Sequence, residues 1–389
     1  MNRALGDSHN FGRTVEARGD RIFKPRTLVW ERLVLSPESA LRKALGETFS
    51  FLPSLSFFDR GAVGGGEVER VELAPLPKLS RARRRELAVV TGRAIALFTW
   101  LGIADLHWEN LVLGRDGDRL VFGPLDVEMI LADLALPTET KLLPDADPEV
   151  SEVCRHAAGG RRVLPFLGKP IDVGDLVAMA AAYREALDLL DGEARAIAAV
   201  FLGAPKLHEA PIRILLRGTA EYVRARTEPV WPPLLDAEAE QLARGDIPYF
   251  FRLYGRTGIH AFADPKLGST LTLPRRGDVP RLDPLLSLAR GLKSPNRRRL
   301  REEGLFTVLG AFDHPSFEGR HQADGLAVTF SPRRLTIALP NGEELVSKRD
   351  LGGFVSSVYL DCRCGEVGSV FVPSTTRCEL RSDSRRRRS

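Results

Sequence analysis

The sequence predicts an α+β protein, and three observations lead to that prediction. Residues 81–103 and 172–202 repeat apolar side chains at the spacing of helices. Short apolar runs at 21–24 and 120–125 are typical of strands, and from about Gly325 onward apolar and polar residues alternate as in antiparallel sheets. With 389 residues, of which 43% are apolar, the chain can bury one large core or two ordinary ones.

The amino-terminal part, residues 1–75, predicts a small unit of short elements. A glycine-bounded polar turn at 6–13 precedes a strand that ends at Lys24, and a helix is expected near 37–45. The glycine-rich stretch at 61–66 lacks the G-x-x-x-x-G-K pattern of a phosphate-binding loop and is followed by acidic residues. It therefore predicts a flexible connection rather than a phosphate cradle.

The central part, residues 76–310, predicts a mainly helical unit. The helix at 81–103 leads directly into a polar turn at 105–110, and further helical patterns follow, the last at 237–244. The segment around Arg213 is apolar enough to be buried, and its pattern leaves open whether it is a helix or a strand.

The carboxy-terminal part predicts a small β-rich unit at 311–375, followed by a disordered basic tail at 376–389. The predicted strands are 326–330, 334–339, 344–346, 354–360 and 369–372. Structural capping is the expected role of this unit, and capture of a peptide at an edge strand is the alternative.

The polar turn has the spacing of a phosphotransferase catalytic loop. In protein kinases the base aspartate precedes a magnesium-binding asparagine by the interval that separates Asp105 from Asn110, and here a second acid, Asp126, follows the next strand. Phosphoryl transfer needs an aspartate at the hydroxyl, oxygen ligands for magnesium and a cation at the phosphates, for which Lys24 is the candidate. Alone, acids and amides in such turns are more often helix caps.

Motifs in a fixed order strengthen this interpretation. They are GDSHNFGR at 6–13, FKPR at 23–26, DLHWEN at 105–110, LDVE at 125–128, RILLRGT at 213–219 and GDIPYF at 245–250. Over roughly residues 1–310 the chain thereby resembles the dehydratase domain of LanM-type (class II) lanthipeptide synthetases. The resemblance implies a kinase-like, two-lobe catalytic body with a mainly helical C-lobe, to which the β-rich unit is appended.

The resemblance also implies an ATP- and Mg²⁺-dependent reaction on a ribosomal precursor peptide that carries a leader. A Ser or Thr hydroxyl is phosphorylated, and phosphate is then eliminated to give dehydroalanine or dehydrobutyrine. By motif, Asp105 is the base or orienting group for the hydroxyl, with His107 beside it. Asn110 and Asp126 are the implied magnesium ligands, and Lys24 is implied to bind nucleotide phosphate and to stabilise the enolate-like intermediate.

For the elimination step the matched residues are Asp7, His9, Arg213 and Thr219. An α-proton beside an amide is a very weak acid, so a base must act while cations stabilise the developing charge. Arginine suits the leaving phosphate because its planar group donates in pairs and stays charged. The sequence leaves open whether His9 or Lys24 is the base.

The chain differs from the family in two ways that concern partners. Family members carry a long region before the first motif, so we expect a second subunit to supply it, a minimal small lobe, or a gene start placed too late. They also carry a carboxy-terminal cyclase with a cysteine- and histidine-bound zinc, which the cluster Cys362, Cys364 and Cys378 does not match. A separate cyclase is therefore expected.

Composition restricts the other possibilities. A net charge of +5 gives no strong sign of nucleic-acid binding, and neither a signal peptide nor a long apolar stretch is found, so a cytoplasmic protein without membrane segments is expected. Two alternatives to dehydration remain open. One is a kinase-like phosphotransferase that stops at the phosphorylated product, and the other is a non-catalytic peptide-binding subunit of a split synthetase.

Overall fold

The computed structural model has an α+β fold, as predicted. It describes residues 3–58, 65–76, 79–107, 110–132, 134, 136–143, 171–230, 233–254, 258–273, 295–349, 356–361 and 366–371. In this part of the chain every sheet is built from antiparallel neighbours. No helix in these ranges combines the length and the apolar character needed to cross a membrane.

The amino-terminal sheet supplies the first site residues. Its strands, in the order in which they pair, are β1 (Arg3–His9), β2 (Arg13–Arg18), β3 (Arg21–Lys24) and β4 (Gly66–Glu69). The strand predicted to end at Lys24 is confirmed. Asn10, Phe11 and Gly12 connect β1 to β2 with φ angles of 49°, 69° and 79°, a left-handed turn that non-glycine residues rarely adopt.

Two short helices follow this sheet, α1 (Val29–Leu35) and α2 (Ala40–Leu45). The helix predicted near 37–45 is confirmed as α2, which Ser39 caps by accepting a hydrogen bond from the backbone of Arg42. The pattern did not predict α1. The Trp30 indole N–H donates to the backbone carbonyl of Pro211 at 2.8 Å, which attaches α1 to a strand nearly two hundred positions further on.

The predicted helix at 81–103 is confirmed as α3 (Arg81–Leu101). The long helical pattern at 172–202 forms two helices, α4 (Val173–Gly192) and α5 (Ala194–Leu202). Helices α3 and α4 approach closely at Gly92, where an added Cβ would lie 2.1 Å from the carbonyl oxygen of Met179. Only glycine permits that backbone distance, and the contact fixes where the end of α3 delivers the polar turn.

A hairpin follows the polar turn, with β5 (Leu111–Asp116) paired to β6 (Arg119–Pro124) through a two-residue turn. Leu111 lies opposite Pro124 in the register. Asn110, immediately before β5, and Asp126, shortly after β6, therefore both lie at the open end of the hairpin. The local sequence brings these two residues together.

The segment around Arg213 is a strand. This strand belongs to a four-stranded sheet. The strands of the sheet pair in the order β10 (Thr270–Thr272), β9 (His260–Phe262), β8 (Phe250–Leu253) and β7 (Pro211–Ile214), and β7 is the strand that contains Arg213. Helix α6 (Thr219–Ala225) follows β7, and α7 (Asp236–Ala243) confirms the helix predicted at 237–244.

The carboxy-terminal strands are confirmed. After α8 (Pro295–Ala311) come β11 (Gly319–Ala323), β12 (Leu326–Ser331), β13 (Arg334–Ala338) and β14 (Glu344–Lys348), then the pair β15 (Ser356–Asp361) and β16 (Glu366–Phe371). Val328 and Ile337 belong to the same hydrophobic core as α3 and α4. The domain boundaries at 75, 310 and 375 stay predictions, and the basic tail and the cysteine cluster lie outside the described residues.

Candidate active site

Charged side chains from separate parts of the chain converge beside the open end of the β5–β6 hairpin. We call them the charged cluster, and its members are Lys24, Arg26, Glu31, Asp105, Asp126, Glu128, Lys141 and Arg213. The cluster contains four carboxylates and four cations. None of these side chains is more than 23% exposed, so their charges act on one another with little screening by water.

Arg26 lies at the centre of the charged cluster. Its guanidinium pairs with Glu31, with Asp126 and, at 3.3 Å, with Glu128. The Arg26 side chain is 11% exposed and that of Glu31 only 2% exposed. Burial acts to lower the pKa of Arg26, but the three carboxylates, Asp126 most strongly, raise it well above its ordinary value. The guanidinium is therefore a permanent charge that holds the three acids in place.

Lys24, at the end of β3, contacts two of the three acids that pair with Arg26. Its ammonium donates to the backbone carbonyl of Leu125 at 2.7 Å and lies 3.4 Å from Glu31 and 3.7 Å from Asp126. Burial acts to raise the pKa of Asp126, but Arg26 and then Lys24 lower it far below its ordinary value. Asp126 is therefore a carboxylate at any physiological pH.

Asp105 forms an ion pair with Lys141, whose ammonium lies 3.0 Å from Oδ1. Both residues have left-handed backbones, with φ angles of 63° and 64°. Non-glycine residues persist in this conformation only where the surrounding structure imposes it, and such residues concentrate at functional sites. Burial acts to raise the pKa of Asp105, but Lys141, His107 and Arg213 together lower it. Asp105 is therefore ionised and can accept a proton or orient a hydroxyl.

Asn110 connects the two acids. Its side-chain amide donates to the backbone carbonyl of Asp105 at 2.9 Å and lies 3.1 Å from Nε2 of His107. Its own backbone carbonyl accepts a hydrogen bond from Leu125, the neighbour of Asp126, at 2.7 Å. Asn110 therefore ties the turn at 105–107 to the segment that carries Asp126.

Arg213 enters from β7 and pairs with Glu128 at 3.1 Å. Its backbone N–H also donates to the carbonyl of Glu128 at 2.9 Å, and its guanidinium lies over the ring of Tyr249, 5.4 Å from the centroid. The Arg213 charge lowers the pKa of both Asp105 and Asp126, which places the two acids around one cation. Its buried Nε makes no hydrogen bond within the described residues.

His9 lies beside Arg213 at the end of β1. Its Nδ1 is 2.8 Å from the carbonyl oxygen of Ile247, and because a carbonyl can only accept, Nδ1 carries the proton. Burial, followed by the charge of Arg213, lowers the pKa of His9, whereas Asp7 acts to raise it. His9 is therefore a neutral imidazole with an unprotonated Nε2 at physiological pH.

The structure brings most of the predicted site residues together. They are Lys24, Asp105, His107, Asn110, Asp126, Arg213 and, through Arg213, His9. Asp7 is exposed on β1 and reaches the site through its charge on His9. Thr219 is different: it is exposed at the start of α6, and within the described residues it makes no hydrogen bond to the charged cluster.

The sequence reasoning gave no role to several members of the cluster. Arg26 and Glu128 lie inside recognised motifs but received no role, and Tyr249, which hydrogen-bonds Glu128, lies in the last motif. Glu31 and Lys141 lie outside the motifs, so nothing in the sequence indicated that they belong to the site. Lys141 is 36 positions from its partner Asp105 in a segment with no motif, so only the fold pairs them.

Asp126 and Asn110 suit magnesium in their chemistry. Magnesium prefers oxygen ligands and usually takes only one or two carboxylates from protein, with phosphates and water completing its shell. Within the described residues no group of three or more His, Cys, Asp or Glu side chains is arranged to hold a metal by protein ligands alone. The donor set therefore fits a magnesium ion that arrives with nucleotide phosphates, in competition with Arg26 for Asp126.

The chain matches no protein-family model, and no curated protein matches it either.

Proposed function

We propose that this chain is a kinase-like dehydratase of Ser and Thr side chains in a precursor peptide, acting in the cytoplasm. The observation that carries the proposal is the convergence of Lys24, Asp105, Asp126 and Arg213 into the charged cluster. These residues come from four separate segments and four separate motifs. Two of them are acids and two are cations, and all four lie in the charged cluster.

In the first step ATP donates its γ-phosphoryl group to a peptide hydroxyl. Asp105, ionised beside Lys141, orients the hydroxyl and receives its proton. Lys24, held at the end of β3, neutralises phosphate charge. When bound, magnesium would neutralise the nucleotide phosphates, and Asp126 and Asn110 would hold it.

In the second step the α-proton leaves, the Cα–Cβ double bond forms and the Cβ–O bond breaks, which releases phosphate. His9 suits the role of base better than Lys24, because its neutral imidazole offers an unprotonated Nε2. The Lys24 ammonium is already engaged, because it donates to the backbone carbonyl of Leu125 and lies against two carboxylates. Arg213 supplies permanent positive charge for the departing phosphate.

One observation favours a second candidate, a phosphotransferase that stops at the phosphorylated peptide. Thr219 matches an elimination residue by motif, yet it is exposed and makes no hydrogen bond to the charged cluster among the described residues. A phosphotransferase needs Asp105, Asn110 and Asp126 but has no use for Thr219. A non-catalytic peptide-binding subunit is a weaker candidate, because it has no need of this buried set of charges.

Mass spectrometry of a precursor peptide, incubated with the chain, ATP and Mg²⁺, separates the candidates. A dehydratase removes one water per modified residue, a phosphotransferase leaves one phosphoryl group, and a binding subunit changes no mass. We expect Asp126→Ala to abolish modification and Arg213→Lys to accumulate phosphopeptide, because lysine keeps the charge beside Glu128 but loses the paired donors.

The matched control is Asp313→Asn. Asp313 is a buried carboxylate, 1% exposed, that pairs with Arg349 beside the β11–β14 sheet, outside the charged cluster. It should lose stability but retain the product pattern. If Asp126→Ala still modifies the peptide as the wild type does, the proposed function is wrong.

A further inference from the structure

Asp246 connects two of the sequence motifs, the one at 6–13 and the one at 245–250. The proposed reaction gives Asp246 itself no role. Its carboxylate is fully buried and accepts three hydrogen bonds from the turn between β1 and β2. The donors are the Ser8 hydroxyl at 2.6 Å, the Phe11 backbone N–H at 2.7 Å and the Gly12 backbone N–H at 2.9 Å. Through these hydrogen bonds the motif at 245–250 holds the motif at 6–13, which lies more than 230 positions earlier in the sequence.

The conformation of this turn depends on that carboxylate. Asn10, Phe11 and Gly12 are consecutive left-handed residues, and two of them are not glycine. Successive backbone N–H groups in such conformations point toward one centre and form an anion-binding nest. In this protein Asp246 supplies the anion, so the carboxylate stabilises a turn that the backbone alone disfavours.

The residues that follow Asp246 also set the position of His9. The N–H of Ile247, the residue after Asp246, donates to the carbonyl of Ser8 at 2.8 Å, and the carbonyl of Ile247 accepts from Nδ1 of His9 at 2.8 Å. The His9 ring also packs edge-on against Tyr249, with centroids 6.0 Å apart. Residues 246–249 therefore fix the backbone before His9, the tautomer of its ring and the direction of the ring.

We infer that Asp246 is the positioning residue for the elimination half of the reaction, holding the β1–β2 turn so that Nε2 of His9 stays directed at the site beside Arg213. This inference rests on the proposed function. The proposed phosphorylation uses Lys24, Asp105 and Asp126, and within the described part of the chain none of these hydrogen-bonds or forms an ion pair with Asp246. Loss of the carboxylate should therefore slow elimination more than phosphorylation.

The activity test compares Asp246→Asn with the wild type in the precursor assay. Asparagine keeps one acceptor oxygen but removes the charge and the second acceptor, so the turn loses at least one of its three hydrogen bonds. Small misplacements of a reacting group cost one to two orders of magnitude in rate. We expect the ratio of phosphorylated to dehydrated product to rise by about tenfold or more. Ser8→Ala, which removes a single hydrogen bond, should give a smaller rise.

A second measurement does not depend on activity. The imidazole ¹⁵N shifts of histidine-labelled protein report the tautomer, and the His9 signal among the seven histidines is assigned by its loss in His9→Gln. The wild type should show a neutral His9 protonated at Nδ1, and Asp246→Asn should show a mixture of tautomers. Asp313→Asn, which removes a buried carboxylate elsewhere, should leave the His9 signal unchanged.

The outcomes distinguish this inference from the proposed function. If the wild type modifies no peptide, the proposed function fails, and the ¹⁵N shifts still test whether Asp246 sets the His9 tautomer. If Asp246→Asn slows both steps equally, or keeps the wild-type His9 signal and product ratio, Asp246 is a structural tie and the inference is overturned. If Asp246→Asn does not fold, Ser8→Ala decides between these outcomes by the same two measurements.

Discussion

Replacement of Arg26 by glutamine tests whether one guanidinium holds the charged cluster together. The substitution keeps most of the side-chain length and removes the charge that Glu31, Asp126 and Glu128 share. Glu128 would keep its ion pair with Arg213. Glu31, which is 2% exposed, would keep only Lys24 as an ion-pair partner among the described residues. Buried carboxylates would lose their nearest compensating charge.

The size of the effect follows from this burial. Removing one partner of a buried ion pair costs about 3–5 kcal/mol, because the remaining charge stays desolvated. Arg26 is 11% exposed and has three partners, so we expect a loss in the free energy of unfolding within that range. Arg18→Gln is the matched control. Arg18 pairs with Glu16 and Glu67 in the same sheet but is 33% exposed, so its loss should cost about 1 kcal/mol or less.

Urea denaturation of the two variants and the wild type measures this difference. The same variants should differ in their response to magnesium. Without Arg26, only the more distant Lys24, at 3.7 Å, pairs with Asp126 in the described residues. Mg²⁺ or Mn²⁺ should therefore raise the midpoint of unfolding of Arg26→Gln more than that of the wild type. If Arg26→Gln loses no more stability than Arg18→Gln, the guanidinium does not organise the cluster and the reasoning is refuted.

Three further predictions concern other parts of the site and its support. Lys141→Met should lower the free energy of unfolding, measured by urea denaturation, by about 1–3 kcal/mol, because Asp105 loses the ammonium with which it pairs. The rate of phosphorylation should also fall, and an unchanged rate would contradict the role of the pair. His9 has a pKa below its ordinary value of 6.5, so the unfolded chain binds more protons than the folded chain just below pH 6.5 and stability falls on acidification. His9→Gln should flatten this fall in denaturation curves measured across pH, and an equally steep fall would exclude His9 as its source. Gly92→Val should destabilise the protein by several kcal/mol, whereas Gly192→Ala, with open space at its Cβ, should not; circular dichroism melts compare the two.

The sequence pattern predicted those helices and strands whose formation depends mainly on the residues within them. The apolar period of α3 and the alternation in β12 and β13 depend only on which face of each element is buried, and both elements are where the sequence placed them. Helix α1 was missed because its seven residues are too few to show a period, and its position depends on the hydrogen bond from Trp30 to Pro211. The short strand that carries Arg213 stayed ambiguous for the same reason.

The candidate site divides in a similar way. The sequence identified Lys24, Asp105 and Asp126 because the chemistry of phosphoryl transfer restricts both residue type and spacing. The motifs also implied that Asn110 and Asp126 share a magnesium ion. The structure adds the reason why the two residues lie close together, because they flank the open end of the β5–β6 hairpin.

The sequence by itself determined the α+β class and most of the elements, and it supplied Lys24, Asp105 and Asp126 as candidate residues for the proposed site. Only the tertiary structure decided that Arg26 joins three acids, that Lys141 pairs with Asp105, and that Asp246 holds the turn before His9. The physical reason is that a charge selects its partner by distance in space. Apart from Arg26 and Glu31, these partners are 36 to 238 positions apart, which leaves no local pattern, and only the packing of the shared core brings them within hydrogen-bonding reach.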